Sequence, residues 1–86
     1  MKINYGNIYA EISEYLKIER FKKKISQDKI AEFIGISGNT YRSYENNPET
    51  ITLDVGIKIN ELLGCNLFQF FLDLMLQNAT YKNEKE

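Results

Sequence analysis

Apolar residues recur along the chain at intervals of three to five positions, which is the spacing of one face of an α-helix. No segment shows the two-residue alternation typical of a half-buried strand. The first apolar series predicts a long helix over about residues 7–23; it consists of Ile8, Ile12, Tyr15, Leu16 and Phe21. The pattern therefore predicts an all-α chain.

Capping residues delimit the remaining helices. Ser26 and Gly35 are a natural start and stop for a second helix over residues 27–34, and Ser37 starts a third over about 38–46. Two more helices are bounded in the same way: one by Thr52 and Gly64, and one that starts at Asn66, with Gln69 placed as in a capping box, and ends near Gln77.

The second and third helices form the most distinctive unit, because only three residues, 35–37, join them. Helices joined so tightly cross steeply, as in a helix-turn-helix, which places the motif at 26–46. Tyr41 and Tyr44 give the third helix its inward stripe. The opposite stripe consists of residues that can hydrogen-bond to bases or phosphates, namely Asn39, Arg42, Ser43 and Asn46, with Thr40 at its edge. The alternative is that this stripe is an ordinary polar helix surface. Combined with the short turn, the stripe favours a DNA-contacting helix.

Length and composition narrow the functional classes. With 86 residues, 43% of them apolar, the chain is expected to form one domain over 1–78 and a polar, frayed tail over 79–86. Its most apolar run, 67–76, is too short to span a bilayer, so we expect a cytoplasmic protein without a membrane partner. The chain has no histidine and a single cysteine, Cys65. No catalytic residue, metal site or cofactor is therefore predicted, and we do not expect an enzyme.

Positive charge is concentrated around the motif. The net charge is −1, but the segment from Lys17 to Glu45 carries seven basic and four acidic residues. Such a segment suits a polyanionic partner, and Lys24, in the Lys22–Lys24 run before the second helix, is a candidate phosphate contact. The alternative is that this run is simply a solvated helix end.

The segment SQDKIAEFIGISGNTYRSYENN resembles the helix-turn-helix of the phage-repressor family, the Cro and lambda-repressor-like or XRE-type regulators. The resemblance extends over about residues 12–70. It implies a compact five-helix DNA-binding domain, here with an extended N-terminal helix and an apolar C-terminal helix, that binds double-stranded operator DNA, usually as a dimer. It also implies residue roles: base contacts at Gly38, Asn39, Thr40 and Ser43, a phosphate or base contact at Gln27, a phosphate contact at Asn46, and a structural ion pair between Arg20 and Glu45.

Two departures from the family pattern concern affinity. Gly38 has no side chain to contact a base, and the loop after the third helix, NPETIT, contains Glu49 where basic residues are common in the family. Each missing phosphate contact weakens the salt-dependent part of binding. We therefore expect modest affinity per domain.

The fifth helix, LFQFFLDLMLQ, is apolar over roughly 240° of its circumference, more than one core contact requires. We expect part of it to form a homodimer interface through Phe68, Phe71, Leu72 and Met75. The alternative is that the N-terminal helix, with Tyr5, Ile8 and Tyr9, folds back over this surface.

Two functions remain. The first is a sequence-specific transcriptional regulator, a dimeric repressor that binds a palindromic operator with the helix at 38–46 in the major groove. The second is a helix-turn-helix module for protein interaction, such as an antitoxin or partner-binding regulator with weak DNA affinity, that acts through the apolar helix at 67–77.

Overall fold

The computed structural model describes residues 4–85, with side chains described through Asn78. It contains helices α1 (Tyr5–Lys22), α2 (Gln27–Ile34), α3 (Gly38–Asn46), α4 (Leu53–Leu63) and α5 (Leu67–Lys85), and a short 3-10 helix (Pro48–Thr50). No strand occurs within the described range. The prediction of an all-α, five-helix domain is confirmed.

Three hydroxyl caps start the inner helices as predicted. The side-chain oxygens of Ser26, Ser37 and Thr52 each accept a hydrogen bond from the backbone N–H three residues on, at 3.0–3.2 Å. Each such cap contributes about 1 kcal/mol. Gly35 and Gly64 end α2 and α4 with φ of 89° and 65°, a left-handed conformation that favours glycine.

The two outer helices differ from the prediction at their ends. α1 starts before residue 7, because Asn4 Oδ1 caps it by accepting from the N–H of Asn7 at 3.1 Å. α5 continues to Lys85 instead of ending near Gln77, since no glycine or proline follows to stop it. Residues 79–85 of the polar segment thus continue α5, and Glu86 lies outside the described residues.

One corner sets the direction of α5. The backbone carbonyl of Asn60 accepts hydrogen bonds from the N–H groups of Gly64 and Cys65, at 2.8 and 3.2 Å. Its side-chain oxygen accepts a hydrogen bond from the N–H of Leu67 at 2.9 Å. Asn66 Oδ1 then caps α5 by accepting from the N–H of Gln69 at 3.1 Å. The predicted capping box is wrong, because the Gln69 side chain donates to Asp73 instead of turning back to Asn66.

A single core joins all five helices. Its fully buried side chains come from α1, α2, α3 and α4: Ile8, Leu16, Ile30, Tyr41, Ile59 and Leu63. Ala31, 1% exposed, is the small residue of mid-α2. α1 also packs along α5, where the Tyr15 and Phe70 rings stack with centroids 4.1 Å apart. This core holds α2 and α3 in place while leaving one face of α3 in solvent.

Phe21 is an exception to the predicted inward face of α1. Its side chain is 70% exposed, because it lies in the last turn of the helix beyond the core. The Arg20 guanidinium carbon lies 5.2 Å from the centre of its ring.

The apolar helices were also compared with the requirements of a membrane span. Among the described residues, no single helix is both long and apolar enough to cross a bilayer. α4 and the first part of α5 satisfy the length and composition together, but they are bent by 106° at the break between them.

Candidate nucleic-acid interface

The outer face of α3 is polar and open to solvent. Asn39, Thr40, Ser43 and Asn46 are exposed, and Arg42 is partly so. Tyr41 is fully buried on the opposite side. The stripe predicted from helical geometry is therefore a single exposed surface in the structure.

Side chains on this surface differ in whether they already make hydrogen bonds within the chain. The Thr40 hydroxyl lies 2.8 Å from the Ser37 hydroxyl, and Asn39 Oδ1 accepts from Arg42 at 2.8 Å. Ser43 and Asn46 make no side-chain hydrogen bond with any described residue. Both side chains can therefore meet an incoming base or phosphate without first breaking a contact.

Behind this surface, a buried carboxylate joins three helices. Glu45 of α3 is fully buried and accepts two hydrogen bonds from Arg20 of α1, at 3.0 and 3.1 Å. Gln27 of α2 and the Tyr41 hydroxyl donate to the same carboxylate at 2.9 and 2.8 Å. We call Arg20, Gln27, Tyr41 and Glu45 the Glu45 cluster. It fixes the orientation of α3 relative to α1 and α2.

The hydrogen bonds of the Glu45 cluster keep its carboxylate charged. Burial by itself would raise the pKa of Glu45, but the donors Arg20, Tyr41 and Gln27 outweigh it and hold that pKa below its ordinary value. Burial, together with the neighbouring Glu45 charge, raises the pKa of Tyr41 well above its ordinary value. The tyrosine therefore stays a neutral donor and the glutamate an anionic acceptor.

The lowered pKa of Glu45 predicts a specific acid sensitivity. The charged carboxylate favours the folded state above the unfolded pKa of about 4.3, and this contribution is lost as pH falls through the lower folded pKa. In urea unfolding between about pH 5 and pH 2, the wild type should lose more stability than Glu45→Gln, which has no charge there to lose. Parallel stability curves for the two proteins would contradict the assignment.

Comparison with known protein families decides the identity of the fold. A helix-turn-helix family model matches residues 12–70. The chain belongs to the Cro and lambda-repressor-like helix-turn-helix family. No curated protein sequence and no solved structure shows significant similarity to it. Membership indicates a DNA-binding transcription regulator, in a family that is generally non-enzymatic.

Two of the residues that donate hydrogen bonds to Glu45, namely Gln27 and Tyr41, were not predicted from the sequence to do so. The resemblance implied a DNA contact for Gln27, yet its side-chain amide is half-buried and donates to Glu45. Tyr41 was expected only as an inward ring. Its position four residues before Glu45, on the same helix face, was the available sequence signal.

The three lysines that precede α2, Lys22 to Lys24, have different neighbours. Lys22 pairs with Glu19 at 2.8 Å. Lys23 extends toward the end of α4, where its Nζ would lie 3.5 Å from a Cβ built on Gly64. Lys24 is exposed and has a left-handed φ of 58° at the turn into α2. Lys22 is therefore engaged by an acidic neighbour in its own helix, whereas Lys23 lies near the end of α4.

Part of the apolar surface of α5 is covered within the same chain. Phe68, Phe71 and Met75 are half-buried against the core, and Phe68 lies over Gly56 of α4, where a Cβ would come within 2.6 Å of its ring. Leu72, in contrast, is 49% exposed. α1 packs along α5, as the fold-back alternative expected, but Leu72 remains open to solvent.

Exposed apolar side chains occur both on α5 and on the neighbouring α4. Leu76, one turn beyond Leu72, is 56% exposed. On α4, Leu53 and Ile57 flank the Gly56 site where Phe68 packs, and they are 74% and 50% exposed. We call Leu53, Ile57, Leu72 and Leu76 the α4–α5 apolar surface.

Proposed function

We propose that this protein is a sequence-specific transcriptional repressor that binds double-stranded DNA as a homodimer, with α3 in the major groove. The observation that carries the proposal is the outer face of α3. It presents exposed hydrogen-bonding side chains and no carboxylate, while the Glu45 cluster holds the helix from behind. A rigidly held polar helix face suits contact with base edges.

Individual roles follow from exposure and from the position of each residue. Asn39 and Ser43 are proposed to contact base edges, since amide and hydroxyl groups can donate and accept there. Thr40 lies at the edge of the face and is proposed to contact an adjacent base, and Asn46, the last residue of α3, is proposed to contact a phosphate. Lys24, exposed at the turn before α2, is proposed to contact a phosphate.

Gln27 and Gly38 are proposed to contribute through the backbone and through their position at helix starts. Gln27 is the first residue of α2, and Gly38 is the first of α3. Backbone N–H groups at helix starts can approach a phosphate closely.

The proposed dimer forms through α5. The exposed Leu72 is one turn from Phe68, and Phe71 and Met75 adjoin it on the helix. The neighbouring Leu53, Ile57 and Leu76 of the α4–α5 apolar surface enlarge the area that a second copy would cover. A two-fold axis there would place two α3 helices on a palindromic site, with half-sites about one helical turn apart.

Selection of binding sites tests this function directly. The full chain is used to enrich duplexes from a random library, and the enriched duplex is then titrated against a scrambled one at two salt concentrations. We expect an enriched palindrome whose preference over scrambled DNA persists at the higher salt. Weak binding that is equal for all duplexes and vanishes with salt would contradict the proposal.

Two substitutions separate base contacts from phosphate contacts. Ser43→Ala should reduce discrimination at one base pair by about 1–3 kcal/mol and leave the salt slope unchanged. Lys24→Ala should weaken binding to all duplexes similarly and reduce the salt slope by about one. Titrations of the selected and scrambled duplexes at several salt concentrations measure both effects. Identical, uniform losses in the two variants would contradict these roles.

Exposure of the α4–α5 apolar surface also favours a second candidate function, that of a module that binds another protein. In that case Leu72 and Leu76 would contact a different chain, and DNA binding would be weak. A library selection without enrichment, combined with a monomeric chain in sedimentation, is the result expected of this second function.

A further inference from the structure

Gly38 leaves room for a contact between α2 and α3. A Cβ built on Gly38 would clash with Asp28 Oδ1 and lie 3.2 Å from Arg42 Nη2. A residue with a side chain at position 38 would therefore displace the Asp28 carboxylate. The glycine, which removes one possible base contact, also allows two charged groups to meet across the start of α3.

The groups that meet there are an acid, an arginine and an amide. Arg42 Nη1 donates to Asp28 Oδ1 at 3.1 Å, and Arg42 Nη2 donates to Asn39 Oδ1 at 2.8 Å. The guanidinium is thus held on two of its nitrogens from two helices. A guanidinium has five N–H donors, so three remain for another partner.

The partner that fits these donors is a base or phosphate of bound DNA. The Arg42 side chain is 42% exposed and lies on the outer face of α3. A free arginine loses considerable side-chain entropy when it is ordered on a base, and a guanidinium already held by neighbours loses less. The carboxylate itself would be repelled by phosphates, which makes its position beside the proposed interface costly unless it orients the arginine.

We propose that Asp28 is a specificity-determining positioning residue: with Asn39, it orients the Arg42 guanidinium so that its remaining donors bind O6 and N7 of one guanine. This inference rests on the proposed function, since it requires sequence-specific DNA binding. Arg42 makes the base contact, and Asp28 acts through Arg42 without touching the DNA. Guanine is the base whose major-groove edge offers two acceptors to a bidentate arginine.

Base-by-base binding profiles test the inference. The probe is the duplex selected with the wild-type chain, together with versions in which each G·C pair is replaced singly by A·T. For the wild type, one replacement should lower affinity about tenfold or more, and in Arg42→Ala the same replacement should have almost no effect. Asp28→Asn should reduce the wild-type effect at that position to about threefold or less and leave the other positions unchanged.

Two further variants separate orientation from charge. Gly38→Ala displaces the Asp28 carboxylate without changing the net charge, and it should reproduce the loss of discrimination seen in Asp28→Asn. Asp54→Asn is the matched control. Asp54 also lies in the first turn of a helix, is 76% exposed against 78% for Asp28, and pairs with Lys58 at 3.3 Å. This control should leave the base profile unchanged.

Several outcomes would overturn the inference. A wild-type base profile in Asp28→Asn would show that Asp28 does not orient Arg42, and an affinity gain that is equal for all duplexes would show that it acts only as a repulsive charge. In either case the wild type would still discriminate between duplexes, so the proposed function would stand. A wild-type chain that does not discriminate among the duplexes would overturn the proposed function and this inference together.

Discussion

Replacing Glu45 with alanine is expected to lower the free energy of unfolding by about 3–5 kcal/mol. The carboxylate is fully buried and accepts from Arg20, Gln27 and Tyr41, so its removal leaves three donors without their partner, including a charged guanidinium that is only 12% exposed. Urea unfolding followed by circular dichroism measures the change. Most of the effect comes from the uncompensated arginine rather than from the loss of an ion pair as such.

A control and a double variant make that reason testable. Glu61→Ala removes an exposed carboxylate from α4 and should change stability by less than about 0.5 kcal/mol. If the stranded Arg20 charge is responsible, replacing Arg20 by methionine in the Glu45→Ala background should recover part of the loss. A loss below about 1 kcal/mol in Glu45→Ala would mean that the Glu45 cluster does not hold α3 in place.

Leu72→Asp is expected to abolish dimerisation and to reduce affinity for the selected palindrome at least ~100-fold. Leu72 is 49% exposed in the single chain, so a monomer tolerates a carboxylate at this position. In the proposed dimer the carboxylate would be buried without a partner, which costs several kcal/mol. Sedimentation of the free protein and titration of the palindrome measure the two effects.

The matched control is an exposed apolar residue on another helix. Phe33 of α2 is 58% exposed and lies beside Ile25 and Leu62, not on α5. Phe33→Asp should leave both the oligomeric state and the palindrome affinity unchanged. A Leu72→Asp variant that remains dimeric and binds with wild-type affinity would exclude α5 as the dimer interface.

The parts of the fold that were predictable are those determined by local chemistry. Ser26, Ser37 and Thr52 cap the starts of α2, α3 and α4. Gly35 and Gly64 end α2 and α4. Each of these effects involves only a few adjacent residues, so the sequence alone indicates it. The bounds of α2 and α3 therefore agree with the prediction.

The parts that were not predictable depend on contacts between distant residues. The side-chain bond of Gln27 to Glu45 spans 18 positions, and that of Arg42 to Asp28 spans 14, so helical periodicity carries no signal for either. The start of α1 was missed because Asn4 caps it four residues before Ile8, the first residue of the apolar series. For the candidate DNA interface, the outward stripe followed from helix geometry, whereas the hydrogen bonds that its side chains already make could be seen only in the structure.

The corner at Asn60 has a consequence for the operator. In the proposed dimer, the α5 helices would lie at the two-fold axis, and each α3 would be carried at a distance set by the angle between α4 and α5. Asn60 determines that angle by binding the N–H groups at both sides of the break. In that dimer, the number of base pairs between half-sites would therefore depend on Asn60, a residue that lies outside α3. Chains that share this α3 face but have a different corner would recognise the same half-site at a different spacing.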